Sequence, residues 1–207
     1  MNPKGILKSI MKKILIHIKT LFNYIKKLFN FTTKYNCNFS EVNQPCYDKN
    51  GNFIGWFSRS MAVSAFIYCK DKNGVWNVLA SERGVGTPDF QGYWNCVCGY
   101  LDFGETTRAA AARELREETG VVIDESELTF IGYEDSPSAN HQNVTFRFYA
   151  KIAGKTIEEF SSFSKKENEK DEVGKISWIP INDIDKFKWA FGHEKRIIEI
   201  AEKIEII

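Results

Sequence analysis

The first 35 residues contain no aspartate, no glutamate and no arginine, yet they hold eight lysines, a charge of +8. A cationic segment without guanidinium groups is poorly suited to reading nucleic-acid phosphates and bases, where arginine forks dominate. Lysines interrupt every apolar run in residues 5–31, so no transmembrane span is expected. The secretory pattern of an apolar core with a small-residue cleavage site is missing too. The cysteines (Cys37, Cys46, Cys69, Cys96 and Cys98) are odd in number and include no CxxC pair. That argues against a zinc ribbon and a disulfide framework, and a reducing, cytoplasmic compartment is expected. Cys96 and Cys98 alternate in a strand-like run and read as small core residues. Neither an internal repeat nor a low-complexity tract is present.

What remains is an ordinary globular composition of 207 residues, 43% apolar and 27% charged. Outside residues 1–35 the balance reverses to 20 basic against 27 acidic residues. Two parts are expected: a basic amphipathic segment with its linker over 1–35, and a domain over 36–207. In the first part, Leu7, Met11, Ile14, Ile18, Leu21, Ile25 and Leu28 recur at steps of four and three, one helical stripe. With flanking lysines, that stripe suits a helix lying on an anionic membrane surface. Packing on a protein surface and self-association are the alternatives.

The second part reads as alternating strands and helices. A hairpin is expected around Asn50-Gly51. Strands are expected over 61–69, 75–81, 93–98, 128–133, 144–152 and 175–179. A helix spans 107–119 and stops at Gly120, and two more follow at 182–187 and 193–204. Such a mixture indicates a layered α/β or α+β domain.

The helix over 107–119 carries a puzzle. Glu114, Glu117 and Glu118 stand at i, i+3 and i+4, sharing one face with Thr107, Ala110 and Ala111, while Leu115 points away as an anchor. Like charges at that spacing each cost a helix about 0.2–0.5 kcal/mol. A hard divalent cation, which takes carboxylate oxygens and water, supplies the reason to collect them.

The stretch GYLDFGETTRAAAARELREETGV, residues 99–121, resembles the Nudix box, G-x5-E-x7-R-E-U-x-E-E-x-G-U, at every specified position. The matches are Gly99, Glu105, Arg113, Glu114, Leu115, Glu117, Glu118, Gly120 and Val121. The resemblance implies a Nudix-type α/β/α sandwich with a mixed sheet. It also implies hydrolysis of a diphosphate bond in a nucleoside diphosphate linked to another group, with Mg²⁺ or Mn²⁺ as cofactor and NMP as product. Carried over by position, Glu117 and Glu118 are the principal metal ligands, and Glu114 is a ligand or the general base. Glu105 is an outer ligand or holds the metal's waters, and Arg113 fixes a glutamate rotamer. A further acid from a later loop is matched by Glu172, with Asp171 and Glu169 as rivals.

The chain departs from the family where many members have Pro-Gly-Gly; here Val97-Cys98-Gly99 is followed by Tyr100, which bears on the loop and on substrate choice. For the substrate, Arg83 is a candidate phosphate contact and His141 a candidate base contact. Trp56, Phe57, Tyr93, Trp94 and Tyr133 are aromatics that could stack on a base or fill the core. Pro137 stands sixteen residues past Val121, as in relatives that cleave ADP-ribose. ADP-ribose or a nucleotide sugar is therefore favoured. The alternatives are a modified nucleoside triphosphate and a nucleotide-binding regulator of the same fold without turnover; a regulator would be expected to lose some box glutamates, and this chain keeps all four.

Overall fold

The computed structural model describes residues 44–47, 50–136, 143–160, 162–166 and 171–207, with the backbone alone over 44–47 and 53–57. The amphipathic segment expected over 5–31 lies outside the described residues. So do Pro137, His141 and Glu169, and the side chains of Trp56 and Phe57. Among the described residues, no helix is long and apolar enough to cross a membrane.

Two short strands, β1 (Gln44–Tyr47) and β2 (Phe53–Phe57), pair antiparallel as a hairpin. Gly51, in the connection, has φ = 87°, a left-handed conformation that glycine adopts without a Cβ penalty. Seven strands form the main sheet: β3 (Ser60–Lys70), β4 (Trp76–Arg83), β5 (Trp94–Asn95), β6 (Val97–Tyr100), β7 (Thr129–Glu134), β8 (Asn143–Thr156) and β9 (Val173–Pro180). β3 runs parallel to β8 and antiparallel to β4 and β6. β7 flanks β8, and both β5 and β9 pair with β4, all antiparallel.

Helices α1 (Thr107–Thr119) and α2 (His193–Lys203) cover opposite faces. The alternation of a strand sorts β3 between them. Val63, Ala65 and Ile67 join Ala110, Ala111 and Leu115 of α1 in one apolar cluster. Phe66 and Tyr68 join Ile197, Ile200 and Ala201 of α2 in the other. A central strand buried on both faces is mostly apolar, which is why residues 61–69 read as an apolar run interrupted by Ser64. Full burial of a side chain such as Phe66 or Leu115 contributes about 1.5–3 kcal/mol. Tyr68 is buried with its hydroxyl donating to the Ile197 carbonyl at 2.9 Å, which links the sheet to α2.

The mixed sheet between helical layers agrees with the sequence reading, and three details change. The strand expected over 93–98 is two strands, because Trp94–Asn95 pairs with β4 and Val97–Tyr100 pairs with β3. The helix expected over 182–187 is a 3₁₀ helix, Ile181–Lys186. The acidic face of α1 is not turned away from the core. Ala110, Ala111, Glu114, Leu115, Glu118 and Thr119 are all buried, so two of the glutamates lie on the same inward stripe as Leu115.

Candidate active site

Helix α1 is set by its ends. The Thr106 side chain accepts the Ala109 N–H at 3.1 Å as an N-cap. Gly120, at φ = 76°, closes the last turn with its N–H on the Arg116 carbonyl. This fixes the rotation that directs Glu114 and Glu118 against β6. A Cβ built on Gly99 would stand 2.2 Å from the carboxyl carbon of Glu114, so only glycine allows the strand and this carboxylate to approach as they do. One residue earlier, the Cys98 backbone N–H points to Glu118 Oε1 at 3.4 Å.

Arg113 ties the acidic groups together. Its Nη2 and Nε donate to the two carboxylate oxygens of Glu105 at 2.7 and 3.1 Å, a two-pronged contact. Nη2 also donates to the Tyr100 carbonyl at 2.9 Å, and Nη1 donates to Glu114 Oε1 at 2.8 Å. Glu117 Oε2 is more distant, at 3.4 Å. One guanidinium thus joins the end of β6, the loop before α1 and α1 itself. Glu105 in turn accepts the Asp102 N–H at 2.8 Å, which secures the loop. The Arg113 hydrogen bond outweighs burial and, with help from that backbone bond, holds the Glu105 carboxyl below its usual range.

Glu117 has a second partner. Lys166 Nζ lies 2.6 Å from Glu117 Oε1. Burial pushes the Glu117 carboxyl up, but Lys166 and Arg113 together outweigh it and leave it below the ordinary carboxylate value. No signal local to residues 99–121 pointed to Lys166, which belongs to a charged run that reads as solvated.

The remaining candidates lie elsewhere. Arg83 is paired with Asp89, and its guanidinium sits 4.7 Å from the centre of the Phe191 ring. Glu172 is exposed, and its backbone carbonyl, not its carboxylate, accepts the Gly84 N–H at 2.7 Å. Next to it, the Asp171 carbonyl accepts the Gly86 N–H at the same distance. Gly84 permits this closeness, since a Cβ there would meet the Asp171 carbonyl oxygen at 2.2 Å. Arg83 and Glu172 are therefore neighbours at the β4–β9 ladder, off helix α1. Tyr100 and Tyr133 are exposed. Trp94 packs edge-on to Phe187, and Tyr93 to Phe90.

Sequence reasoning also passed over Phe90 and Phe191, which meet edge-on beside Arg83 and both adopt left-handed backbone conformations. On the sheet face of α2, Glu134 Oε2 accepts from Arg147 and Arg196 at 2.9 and 3.0 Å. His193 is buried there, and its Nδ1 accepts the Cys96 N–H at 3.0 Å. Burial first, then the charges of Arg147, Arg83 and Arg196, lower its pKa to about 3. Cys98 is shifted the other way, to about 12, by burial and by Glu118, so neither group is poised for proton transfer near neutrality.

Whether these residues suit a divalent cation follows from their chemistry. Four carboxylates offer hard oxygen donors, and Gly99 lets β6 lie directly against the Glu114 carboxylate. Among the described residues, no three acidic, thiol or imidazole groups converge as they stand on one metal position. Ammonium and guanidinium groups instead pair with Glu105, Glu114 and Glu117. The donor set fits a hard cation, provided Glu117 exchanges Lys166 for it.

A layered mixed sheet thus carries a glutamate-bearing helix packed against a strand whose glycine faces one of those carboxylates. The family model for the NUDIX domain matches residues 58–199, and the chain belongs to the Nudix family. It spans 46% and 60% of the length of two curated relatives that it matches. One of these, the uncharacterized Nudix hydrolase YvcI of Bacillus subtilis, is 30% identical over 106 residues, 49% of this chain. Among solved structures, the NUDIX domain of Shewanella oneidensis NrtR complexed with ADP ribose superposes with a TM-score of 0.58 at 20% identity, covering 83% of this chain and 97% of that one. A bifunctional NMN adenylyltransferase/ADP ribose pyrophosphatase from Francisella tularensis, complexed with AMP and a Mn ion, gives 0.55 at 18% identity, covering 70% and 41%. At these identities the likeness establishes the shared fold.

Proposed function

We propose that this protein is a divalent-cation-dependent pyrophosphohydrolase acting on a nucleoside diphosphate linked to another group, with ADP-ribose or a nucleotide sugar as the preferred class. The observation that carries the reading is the contact of Gly99 with Glu114, in a box that keeps every one of its glutamates. Nearly all of this machinery would be superfluous in a protein that only needed a stable helix.

In the reaction, water adds to one phosphorus, the bridging P–O bond breaks, and NMP leaves with the phosphorylated partner. Glu114, Glu117 and Glu118 would hold Mg²⁺ or Mn²⁺, which supplies charge neutralisation of the diphosphate and acidification of bound water. The chain's own residues do the rest. Arg113 keeps Glu105 and Glu114 in fixed orientations through its fork. Glu114, at the β6 wall, would serve as the general base where it does not itself bind the cation. Arg83 and the exposed Tyr100 stand outside the acidic cluster, where the rest of the substrate can be read. The choice of ADP-ribose is supported by the ligand of the NrtR domain and by the activity named for the Francisella protein.

The test is a panel of ADP-ribose, nucleotide sugars and oxidised nucleoside triphosphates, incubated with Mg²⁺ or Mn²⁺ and analysed for released NMP. AMP from ADP-ribose, absent with chelator, is the expected result. Pyrophosphate release from the triphosphates alone would replace this substrate class with the house-cleaning one. Ligand binding without any turnover would make the protein a regulator.

A further inference from the structure

Lys166 is aimed at the acidic cluster by backbone anchors at Ser164 and at Lys166 itself. Ser164 donates its N–H to the Thr119 carbonyl at 3.1 Å, and Lys166 donates its own N–H to the Glu117 carbonyl at 2.9 Å. These bonds occupy carbonyls of the last turn of α1 that have no partner within the helix. Gly120 makes room for them, since a Cβ there would stand 2.2 Å from Ser164 Oγ. Lys165 points to the other side and donates to the Val173 and Gly174 carbonyls at 2.6 and 2.7 Å, which fastens the segment to β9. An ordinary surface lysine samples many positions and its ion pairs contribute little. Here the stem begins from a fixed backbone, and the ammonium ends 2.6 Å from a carboxylate whose side chain is only 11% exposed.

We infer that Lys166 is the resident counter-cation of this site, neutralising Glu117 until a divalent cation takes that carboxylate and then serving as a contact for the substrate's diphosphate. The inference rests on the pyrophosphohydrolase reading above. Its logic is an exchange of charge partners. One ammonium–carboxylate pair is replaced by a metal–carboxylate pair and an ammonium–phosphate pair, so opposite-charge contacts increase as metal and substrate assemble together. Lysine suits this use better than arginine, being a compact point charge on a flexible stem that can leave one anion for another.

The experiment measures Mn²⁺ binding by calorimetry on the full chain as wild type, Lys166→Met and Lys166→Arg, and then ADP binding at saturating Mn²⁺. Removing the competing ammonium should tighten Mn²⁺ binding by about fivefold in Lys166→Met, the scale set by one ion pair. ADP, a diphosphate probe, should bind that variant roughly fivefold more weakly. Lys166→Arg should keep Mn²⁺ binding at or below the wild-type strength and restore part of the ADP affinity. Unchanged affinity for Mn²⁺ or for ADP in Lys166→Met overturns the inference. A wild-type chain that binds no Mn²⁺ overturns the pyrophosphohydrolase reading itself, so the two failures are distinct.

Discussion

Gly99 and Glu114 meet with no room for a methyl group between them: a Cβ on the glycine would lie 2.2 Å from the carboxyl carbon and 2.2 Å from its Oε1. In Gly99→Ala the carboxylate must therefore move or β6 must separate from α1. Turnover should fall at least tenfold, with a destabilisation of about 1–3 kcal/mol typical of overpacking. Steady-state kinetics and urea unfolding on the same preparation check both numbers; wild-type kcat in Gly99→Ala would show that Glu114's position is immaterial.

Glu118→Gln keeps the shape of the side chain and an oxygen for the Cys98 N–H while removing one charge. Turnover should drop by orders of magnitude and Mn²⁺ affinity should decline. The melting temperature should hold or rise, since a repulsive contact with Glu114 is relieved. Retention of wild-type turnover at limiting Mg²⁺ would remove Glu118 from the metal site.

Arg113→Lys tests the fork. A single ammonium cannot reach both oxygens of Glu105 together with Glu114 and the Tyr100 carbonyl, as Arg113 does. We expect a loss of about 1–3 kcal/mol in denaturant unfolding, the range for charge-assisted hydrogen bonds. kcat should fall more than KM rises. An unchanged unfolding midpoint would contradict this account.

Acid should weaken the fold partly through His193, whose folded pKa lies at about 3. The unfolded chain takes up this proton at about pH 6.5 and the folded protein does not, so stability falls as pH drops between these values. Glu105 and Glu117, held below their ordinary range, act in the same direction: their contribution is present above the unfolded carboxylate pKa and disappears as acid protonates them in the fold. In His193→Gln, less stable overall through the lost contact with Phe66, the slope of unfolding free energy between pH 4 and 6.5 should flatten. A slope identical to wild type would exclude His193 as its source.

For the basic segment over 5–31 we propose attachment to anionic membranes. Each lysine near such a surface contributes about 1 kcal/mol. Changing Lys12, Lys13, Lys26 and Lys27 to Gln in the full chain should abolish co-sedimentation with phosphatidylserine vesicles while leaving hydrolysis intact. Equal sedimentation of the two proteins would refute the proposal.

The box was legible because its nine positions fall within one local run that crowds like charges on one helix, which folding does not ask for. The buried stripe of β3 was legible for a related reason, since a strand covered on both faces has no polar alternation to hide it. The division between β5 and β6 was not legible: Asn95 and Val97 differ in which strand they meet, and that choice is made by tertiary pairing. The inward placement of Glu114 and Glu118 was missed because a helical wheel shows angles and not the neighbour, here a glycine that turns a buried position into a recess. Lys166 was invisible for want of proximity, as 49 positions separate it from Glu117 along the chain.

The parallel pairing of β3 with β8 has a temporal meaning. Met61 lies against Val144 and Phe66 against Tyr149, partners roughly eighty residues apart, and pairings of such separation are slow to close. The whole stretch from Gly99 to Val121 is enclosed in that crossover. During synthesis the glutamates leave the ribosome well before the strand that completes the sheet beneath them, so the nascent chain carries its acidic residues over an unfinished platform. The site is thus completed late, and a chain stalled before β8 would already own every residue of the box while lacking a strand of the sheet its helix packs on.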